Sequence, residues 1–547
     1  MKEKIKIGII IQETIVEHWI FKVLDKLFKA DFAEIVVIFK AGRQDQILEN
    51  KPSKVFRFHE TLDSWLYRGR YDYNSLIDCS ALFGRAHVMF LEQPELFSRH
   101  FNEVEATIAL EGIEPDILLN FSQEAVSGQL LKLAKYGVLT FKVEGQCCPG
   151  SPTTAYYSLI AGKPEIECYV TLTKDDAPET VVCRSSVAIF SNSIHINRNR
   201  VLGLAELLIP RAIELFFLKD DRLMSKINRN TSNNYLTALP DLKSPSSFEA
   251  LKNLIRIQIH SLKKKVLYLD NENWFLHYRN SDTFNPLTGR YDDFLRLEAP
   301  SGYYWADPFV VYEQDKYYLF VEEYIYKTGR GHLAVLKPDD KGLYGKSEVI
   351  LKKPYHLSYP FVFKYDGEYF MIPETKSEKV VQIYRCTNFP DNWEYVTNLM
   401  ENVAAADTTV FYYRNKWWLF TSIDILNNTD IGFGELFLFY ADDLFSGRWQ
   451  SHPQNPIVTD ISQSRPAGRI FELNGTLIRP SQDCSGGYGK AVNLNQIVKL
   501  TEMEYEEKRT RRLAPDWDPN LVGMHTFNSD HGFYVLDVCT PRKRFGL

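Results

Sequence analysis

The sequence predicts a multidomain chain, with an N-terminal α/β Rossmann-like domain followed by an all-β five-bladed propeller. Two observations carry this reading. Near the N-terminus a strand, a helix and a second strand follow one another within about thirty-five residues, the mark of a βαβ unit and a parallel sheet. In the second half one hairpin motif recurs five times at a period near fifty residues, the span of a propeller blade. At 547 residues the chain also exceeds what a single hydrophobic core fills.

The elements follow in order. Residues 5–11 form a continuous β-prone run, typical of a strand covered on both faces. Residues 15–30 place Ile15, Trp19, Phe21, Leu24 and Leu27 at helical spacing. Residues 34–40 read as a second strand, 116–120 and 137–143 as two more, and 129–136 as a short helix. Residues 145–152 form a Gly/Pro/Ser-rich loop. Glycines in GxGxxG spacing do not follow the first strand, so a dinucleotide site is not indicated. An amphipathic run over 201–218 closes this domain, expected to span 1–218. The polar stretch from 219 with its Asn, Ser and Pro residues marks a linker. A helix over 248–264 completes that segment, and the propeller is expected over 265–547.

Composition bounds the function. Apolar residues make up 45% and charged residues 24%, ordinary for a globular protein. The net charge of −6 gives no reason to expect nucleic acid or an anionic membrane as partner. Lys508 to Arg512 forms a short basic run that reads as a solvated loop. The eight cysteines show neither a CxxC pair nor a Cys/His cluster, so no metal is expected, and they read as reduced thiols of a cytoplasmic protein. The first residues read as a strand rather than a signal peptide. Membrane insertion is not expected, because no apolar run approaches the length of a spanning helix.

Three features in order carry a first resemblance. They are the strand at Pro115-Asp116, the strand Gly137-Val-Leu-Thr-Phe141, and the loop Gly150-Ser-Pro-Thr-Thr-Ala-Tyr-Tyr-Ser-Leu-Ile-Ala-Gly162. Tyr169-Val-Thr-Leu172 and Glu179-Thr-Val-Val182 follow. Together they resemble the catalytic domain of the formyltransferase family. The resemblance implies a reduced folate (10-formyltetrahydrofolate) as cofactor. In that family an Asn polarises the formyl carbonyl while a His and an Asp handle protons. Here the Asn position holds Thr140, the His position Lys142 and a following Ser position Glu144, and the Asp position falls on Glu179 or Thr180. Thr140 and Glu179 are the candidate cofactor contacts. Lys142 cannot accept a proton near neutrality without a large burial shift. Two readings follow: a retained fold whose chemistry has lapsed, or altered chemistry with Lys142 as an electrostatic clamp and Glu144 or Glu179 as base.

The five repeats begin at Asp315, Asp366, Asn415, Asn474 and Asp530. Each couples a turn to an apolar or aromatic strand, a hairpin signature. Polar residues recur at corresponding places: Trp305, Asp307 and Glu322 in the first unit, His356, Tyr359 and Glu374 in the second, Asp407 in the third. The fourth unit supplies Arg465, Arg469, Arg479, Gln482 and Asp483, with Tyr488 following, and the fifth supplies His525. Charged groups set among aromatic strands are stable only where they face a wet axis and pair there. The motifs Trp305-Ala-Asp-Pro308, His356-Leu-Ser-Tyr-Pro360, Pro373-Glu374 and Arg479-Pro-Ser-Gln-Asp483 resemble the N-terminal domain of glucosamine inositolphosphorylceramide transferases. The domain is in turn similar to five-bladed glycosidases of the arabinanase and xylosidase type.

That second resemblance implies a base, a general acid and a tuning acid drawn from different blades, with Asp307, Glu374 and Asp407 as candidates. Trp305, Glu322, His356, Tyr359, Arg465, Arg479, Gln482, Asp483, Tyr488 and His525 are candidate substrate contacts. The arginines suit a phosphate or carboxylate on the ligand. The expected function is modification of a glycan or sugar nucleotide, with a carbohydrate or sugar phosphate as partner, by a formyl- or acyltransferase-like protein. A hydrolase acting in the propeller and a non-catalytic glycan-binding protein are the alternatives.

Overall fold

The computed structural model describes residues 2–41, 52–68, 72–84, 89–92, 114–122, 131–144, 149–151, 153–175, 177–218, 245–267, 269, 272–425 and 434–543. The chain divides into two compact units, Met1–His260 and Ser261–Leu547. Most of the expected linker, 219–244, lies outside the described residues.

Among the described residues, the first unit is built on a seven-stranded sheet. Its spatial order is Met89–Glu92, Ala33–Lys40, Ile5–Ile11, Ile117–Asn120, Val138–Val143, Glu165–Lys174 and Ala177–Ala188. The first five run parallel, and the last two are added antiparallel. Ile7, Ile9 and Ile10 are fully buried, as expected for a central strand covered on both faces. The helix expected over 15–30 begins at His18, because residues 15–17 pair instead as a short strand with Leu76–Asp78. Residues 131–132 lie in a 3-10 turn and 133–136 in bends, so the expected α-helix is not continuous there; 129–130 lie outside the described residues. The closing helix starts earlier than expected, at Ile194, and runs to Leu218.

The second unit consists of five antiparallel blades. Blades one to three start at the inner strands Tyr303–Glu313, Ser358–Tyr365 and Ala405–Tyr413. The inner strand of blade four is split into Arg465–Pro466 and Phe471–Leu473. Blade five combines both ends of the unit, since Phe533–Thr540 pairs with Asn273–Asn280. Each repeat turn places two successive residues at positive φ: Gln314–Asp315, Asp366–Gly367, Arg414–Asn415, Asn474–Gly475 and His531–Gly532. This is the two-residue turn whose twist matches the flanking strands. Aromatic packing joins neighbouring blades, as where Phe309 meets Phe361 at 5.6 Å and Phe320 meets Trp393 at 5.8 Å.

Candidate functional site

Three inner strands share one irregularity. The ladder slips between Ala306 and Phe309, between Ser358 and Phe361, and between Ala406 and Thr409. The residues at the slips, Asp307, Tyr359 and Asp407, have φ of 50°, 47° and 53°. A β-bulge re-aims a side chain, and non-glycine residues adopt such a backbone only where their surroundings fix it. Here they do. The Asp307 N–H donates to Asp537 Oδ2 (2.9 Å) and the Tyr359 N–H to Asp307 Oδ2 (3.1 Å).

The bulges gather charged groups from all five blades into two linked clusters. In the first, His525 lies between two carboxylates, with Nδ1 2.8 Å from Asp537 Oδ2 and Nε2 3.4 Å from Asp307 Oδ1. Thr526 Oγ1 also donates to Asp307 Oδ1 (2.8 Å). Burial pulls the His525 pKa down, but the two carboxylates overcome it and raise it to about 9. Burial pushes Asp307 up to about 6, opposed by His525. At neutral pH His525 therefore carries its proton between the two side chains. Asp307, His525 and Asp537 hold one ligand atom each within 4.8 Å, a grouping that would suit a metal ion with His525 deprotonated.

In the second cluster, Arg465 Nε lies 2.5 Å from Asp407 Oδ2, and its Nη2 lies 3.3 Å from Glu374 Oε2. Gln482 Nε2 donates to Asp407 Oδ2 (2.8 Å). Burial and the Asp407 charge raise Glu374 to about 8, although Arg465 opposes them. Glu322, at the matching place in blade one, is raised well above the carboxylate range by burial and by Asp307. His356 Nε2 lies 3.5 Å from Glu322 Oε1, and burial lowers the His356 pKa. Exposure grows from Asp407 (2%) through Glu374 (12%) to Tyr488 (40%) and His356 (41%), so a ligand enters past those last two. Arg465 stacks on the Tyr488 ring at 5.0 Å, and Tyr488 and Trp274 pack against His525 at 5.2 and 4.2 Å.

Other sequence candidates stand elsewhere. Tyr359 is fully buried, its hydroxyl 2.9 Å from Thr409 Oγ1 and accepting from Gly468 N at 2.8 Å, a crossbar between blades. A Cβ on Gly468 would sit 2.1 Å from the Phe527 carbonyl oxygen, so this crossing requires glycine. Trp305 is buried in blade one, where its indole donates to Glu323 (2.9 Å). Arg479 forms a two-pronged pair with Glu507 at 2.6 and 2.7 Å, and Asp483 accepts from Arg512 at 2.7 Å. The physical reason is strand alternation: Gln482 points to one face of its strand, Arg479 and Asp483 to the other. Arg469 donates to the Val362 carbonyl at 2.8 Å, with the Val310 and Ser529 carbonyls 3.4 Å away, tying inner strands together. Asp537, Thr526 and Trp274 belong to the constellation, and the sequence reading did not select them.

In the first unit, Lys142 Nζ lies 2.5 Å from Glu179 Oε1, which also accepts from Thr171 Oγ1 at 2.7 Å. Of the two residues expected at the Asp position, Glu179 is the one that meets Lys142. Thr140 contributes its backbone carbonyl to Thr171. Glu144 accepts from Ser158 Oγ and lies 3.0 Å from Lys163 Nζ. Near the carboxyl ends of Ile5–Ile11 and Ile117–Asn120, where the strand order reverses, lies a cavity of about 120 Å³ walled in part by Glu17, Trp19, Asn120 and Ser122. Such switch points are the usual ligand crevices of open α/β sheets.

Comparison with known proteins places the propeller. Residues 293–515 match the family model described as glucosamine inositolphosphorylceramide transferase 1, N-terminal. A protein of that name from Oryza sativa subsp. japonica is 38% identical over 205 residues, covering 37% of this chain and 27% of the relative. Its Arabidopsis thaliana namesake is 33% identical over 248 residues, 43% of this chain and 31% of the relative. The chain thus spans less than a third of the length of these curated relatives. Among solved structures, a glycinamide ribonucleotide transformylase from Symbiobacterium toebii is 16% identical over 39% of this chain and 88% of its own, with a TM-score of 0.28. A thermostable family-43 glycoside hydrolase is 14% identical over 38% of this chain and 76% of its own, with a TM-score of 0.29.

Proposed function

We propose that the propeller is a glycan-directed catalytic domain acting on a glycosidic bond, with Glu374 as proton donor and Asp307 as base. The observation that supports it is the convergence at the axis of buried acids from separate blades, re-aimed by bulges and met by Arg465. Near neutral pH Glu374, at about 8, keeps its proton, while Asp307, at about 6, has lost its own. Two carboxyls whose surroundings separate their proton affinities are the equipment of general acid–base chemistry. Glu374 gives its proton to the glycosidic oxygen as that carbon–oxygen bond breaks. Asp307 takes a proton from the incoming water or sugar hydroxyl as the new carbon–oxygen bond forms. Asp407 and Arg465 set the field around Glu374, and Tyr488 offers a ring at the mouth for a sugar face.

The matched relatives carry the name glucosamine inositolphosphorylceramide transferase 1, which supports a sugar as the substrate class. Arg465 is neutralised by Asp407 at 2.5 Å, so a neutral or amine-bearing sugar suits this mouth better than a phosphorylated one. In the α/β unit we propose that Lys142 and Glu179 serve as an ion pair, and that 10-formyltetrahydrofolate is not processed there. The test is turnover of aryl glycosides and oligosaccharides by the full chain, its Glu374→Gln and its Asp307→Asn variants. Both variants should retain sugar binding and lose turnover. Undiminished turnover in either, or formyl transfer from the folate by the full chain, would overturn the reading.

A further inference from the structure

The helix Ser247–Leu267 carries apolar side chains on two opposite faces. One face is occupied: Ala250 and Ile257 are buried, and Asn253 donates to the Tyr156 hydroxyl at 2.8 Å. The other face presents Phe248, Leu251, Ile255, Ile259, Leu262 and Val266, each 46–76% exposed. Their spacing of three, four, four, three and four residues averages the helical repeat, so they form one straight stripe. Lys252, Arg256 and Lys263 are exposed and run as a row along one flank of it. Five lysines and arginines stand in this helix against one acid, Glu249, and that carboxylate already accepts from the Ser246 N–H at 2.9 Å.

A second helix also turns apolar side chains outward, with Lys54 and Arg57 balanced by Glu60 and Asp63. Lys54–Leu66 buries Phe56, His59 and Asp63 and turns Phe58, Trp65 and Leu66 outward, with Trp65 70% exposed. Lys54 and Arg57 on this helix are exposed as well. Tyr156 anchors both helices, since the Phe56 ring meets it edge-on at 5.0 Å while Asn253 holds its hydroxyl.

We propose that these two helices form a docking surface for the anionic face of a lipid bilayer. An apolar stripe flanked by lysine and arginine, with tryptophan beside it, is the pattern of a helix lying in the headgroup region. Charge selects the occupant. An isologous contact with a second copy would bring two basic rows together, whereas an anionic leaflet neutralises them. The helices lie on such a surface rather than through it, because no helix among the described residues is long and apolar enough to cross a membrane. The inference stands independently of the chemistry assigned to the propeller. If both hold, the propeller works on glycans carried at a membrane.

Co-sedimentation of the full chain with vesicles tests it. The chain should pellet with phosphatidylcholine vesicles carrying about a third phosphatidylserine and much less with phosphatidylcholine alone. Ile255→Asp with Leu262→Asp should abolish pelleting with an unchanged melting temperature, since both side chains are exposed. Reversal of Lys252, Arg256 and Lys263 to glutamate should weaken binding to the anionic vesicles by about a hundredfold. The proposal fails if no vesicle binds, if the apolar variant binds like the wild type, or if the charge reversal leaves anionic binding unchanged. It also fails if the full chain is a dimer without lipid that Ile255→Asp converts to monomer.

Discussion

Lys142 with Glu179 in the α/β unit and Asp307, Glu374 and Asp407 in the propeller both join carboxyls to cationic partners, yet they are built differently. In the sheet a single lysine lies directly on a single glutamate, 2.5 Å apart, with Thr171 and Thr173 hydroxyls closing the remaining positions. In the propeller the acids outnumber the bases, so one arginine serves Asp407 closely and Glu374 only at 3.3 Å. A matched pair neutralises itself and has no reason to exchange protons. An unmatched cluster leaves one carboxyl protonated, and that carboxyl is available as an acid.

The sharpest way to break this contrast is Glu374→Gln, which keeps the shape and the contact to Arg465 but removes the transferable proton. Loss of a positioned general acid costs about a hundredfold to ten-thousandfold in rate. Turnover should therefore fall that far while sugar binding by calorimetry is preserved. If the rate survives, the raised Glu374 is an incidental feature of burial, and the two regions differ in packing alone.

Next in size is Arg465→Met. Removing one partner of a buried pair leaves Asp407 uncompensated and should destabilise the propeller by about 3 kcal/mol, read from denaturant unfolding of the full chain. Arg465 also lowers Glu374, so the alkaline limb of any residual activity should move to higher pH without it. A variant that loses stability but keeps its pH profile would separate Arg465's structural role from its tuning of Glu374.

The pH dependence follows with its sign. Asp307 must be ionised to accept a proton, so activity declines as pH falls through about 6. Glu374 must be protonated to donate one, so activity declines as pH rises through about 8. The result is a bell between those values, losing about tenfold per unit beyond each limb. His525 adds a stability limb. Its folded pKa of about 9 exceeds the ordinary imidazole value of 6.5, so its contribution is fully present below about 6.5 and is lost as pH rises through about 9. His525→Asn should remove that limb from a series of thermal melts.

The sequence revealed the scaffold more completely than the site, and particular residues explain why. Turn pairs such as Asp366–Gly367 and Asn474–Gly475 announce both the hairpin and its period, so the blades could be counted. Asp307 and Asp407 stand out as repeated acids, but the bulges beneath them leave no local signature beyond their own positive φ. Without the bulges, alternation along a strand is easily misassigned: Arg479 and Asp483 were grouped with Gln482, although they point to the opposite face. Counted from the turn, the place of Glu322 in the fifth unit is held by Cys539, and Asp537 stands at the place of Phe320, so a register count would not have selected it. Trp274 offers no signal either, because it precedes the first repeat and reaches the site only when Asn273–Asn280 closes blade five.

The smallest expected effect tests the other half of the contrast. Lys142 and Glu179 are 11% and 24% exposed at their side chains, so the pair is partly shielded from water, and Glu179 retains its Thr171 hydrogen bond without it. Lys142→Met should therefore cost about 1 kcal/mol in unfolding free energy. Glu179→Gln in the same chain should add little, because its partner is already gone; the double-mutant cycle would show coupling of the same order. Glycan turnover in the propeller should be unaffected by either change. If Lys142→Met instead abolished a measurable reaction while leaving the melting temperature untouched, the lysine would be a working group. The two regions would then be two sites, and self-neutralisation could no longer be read as a sign of retired chemistry.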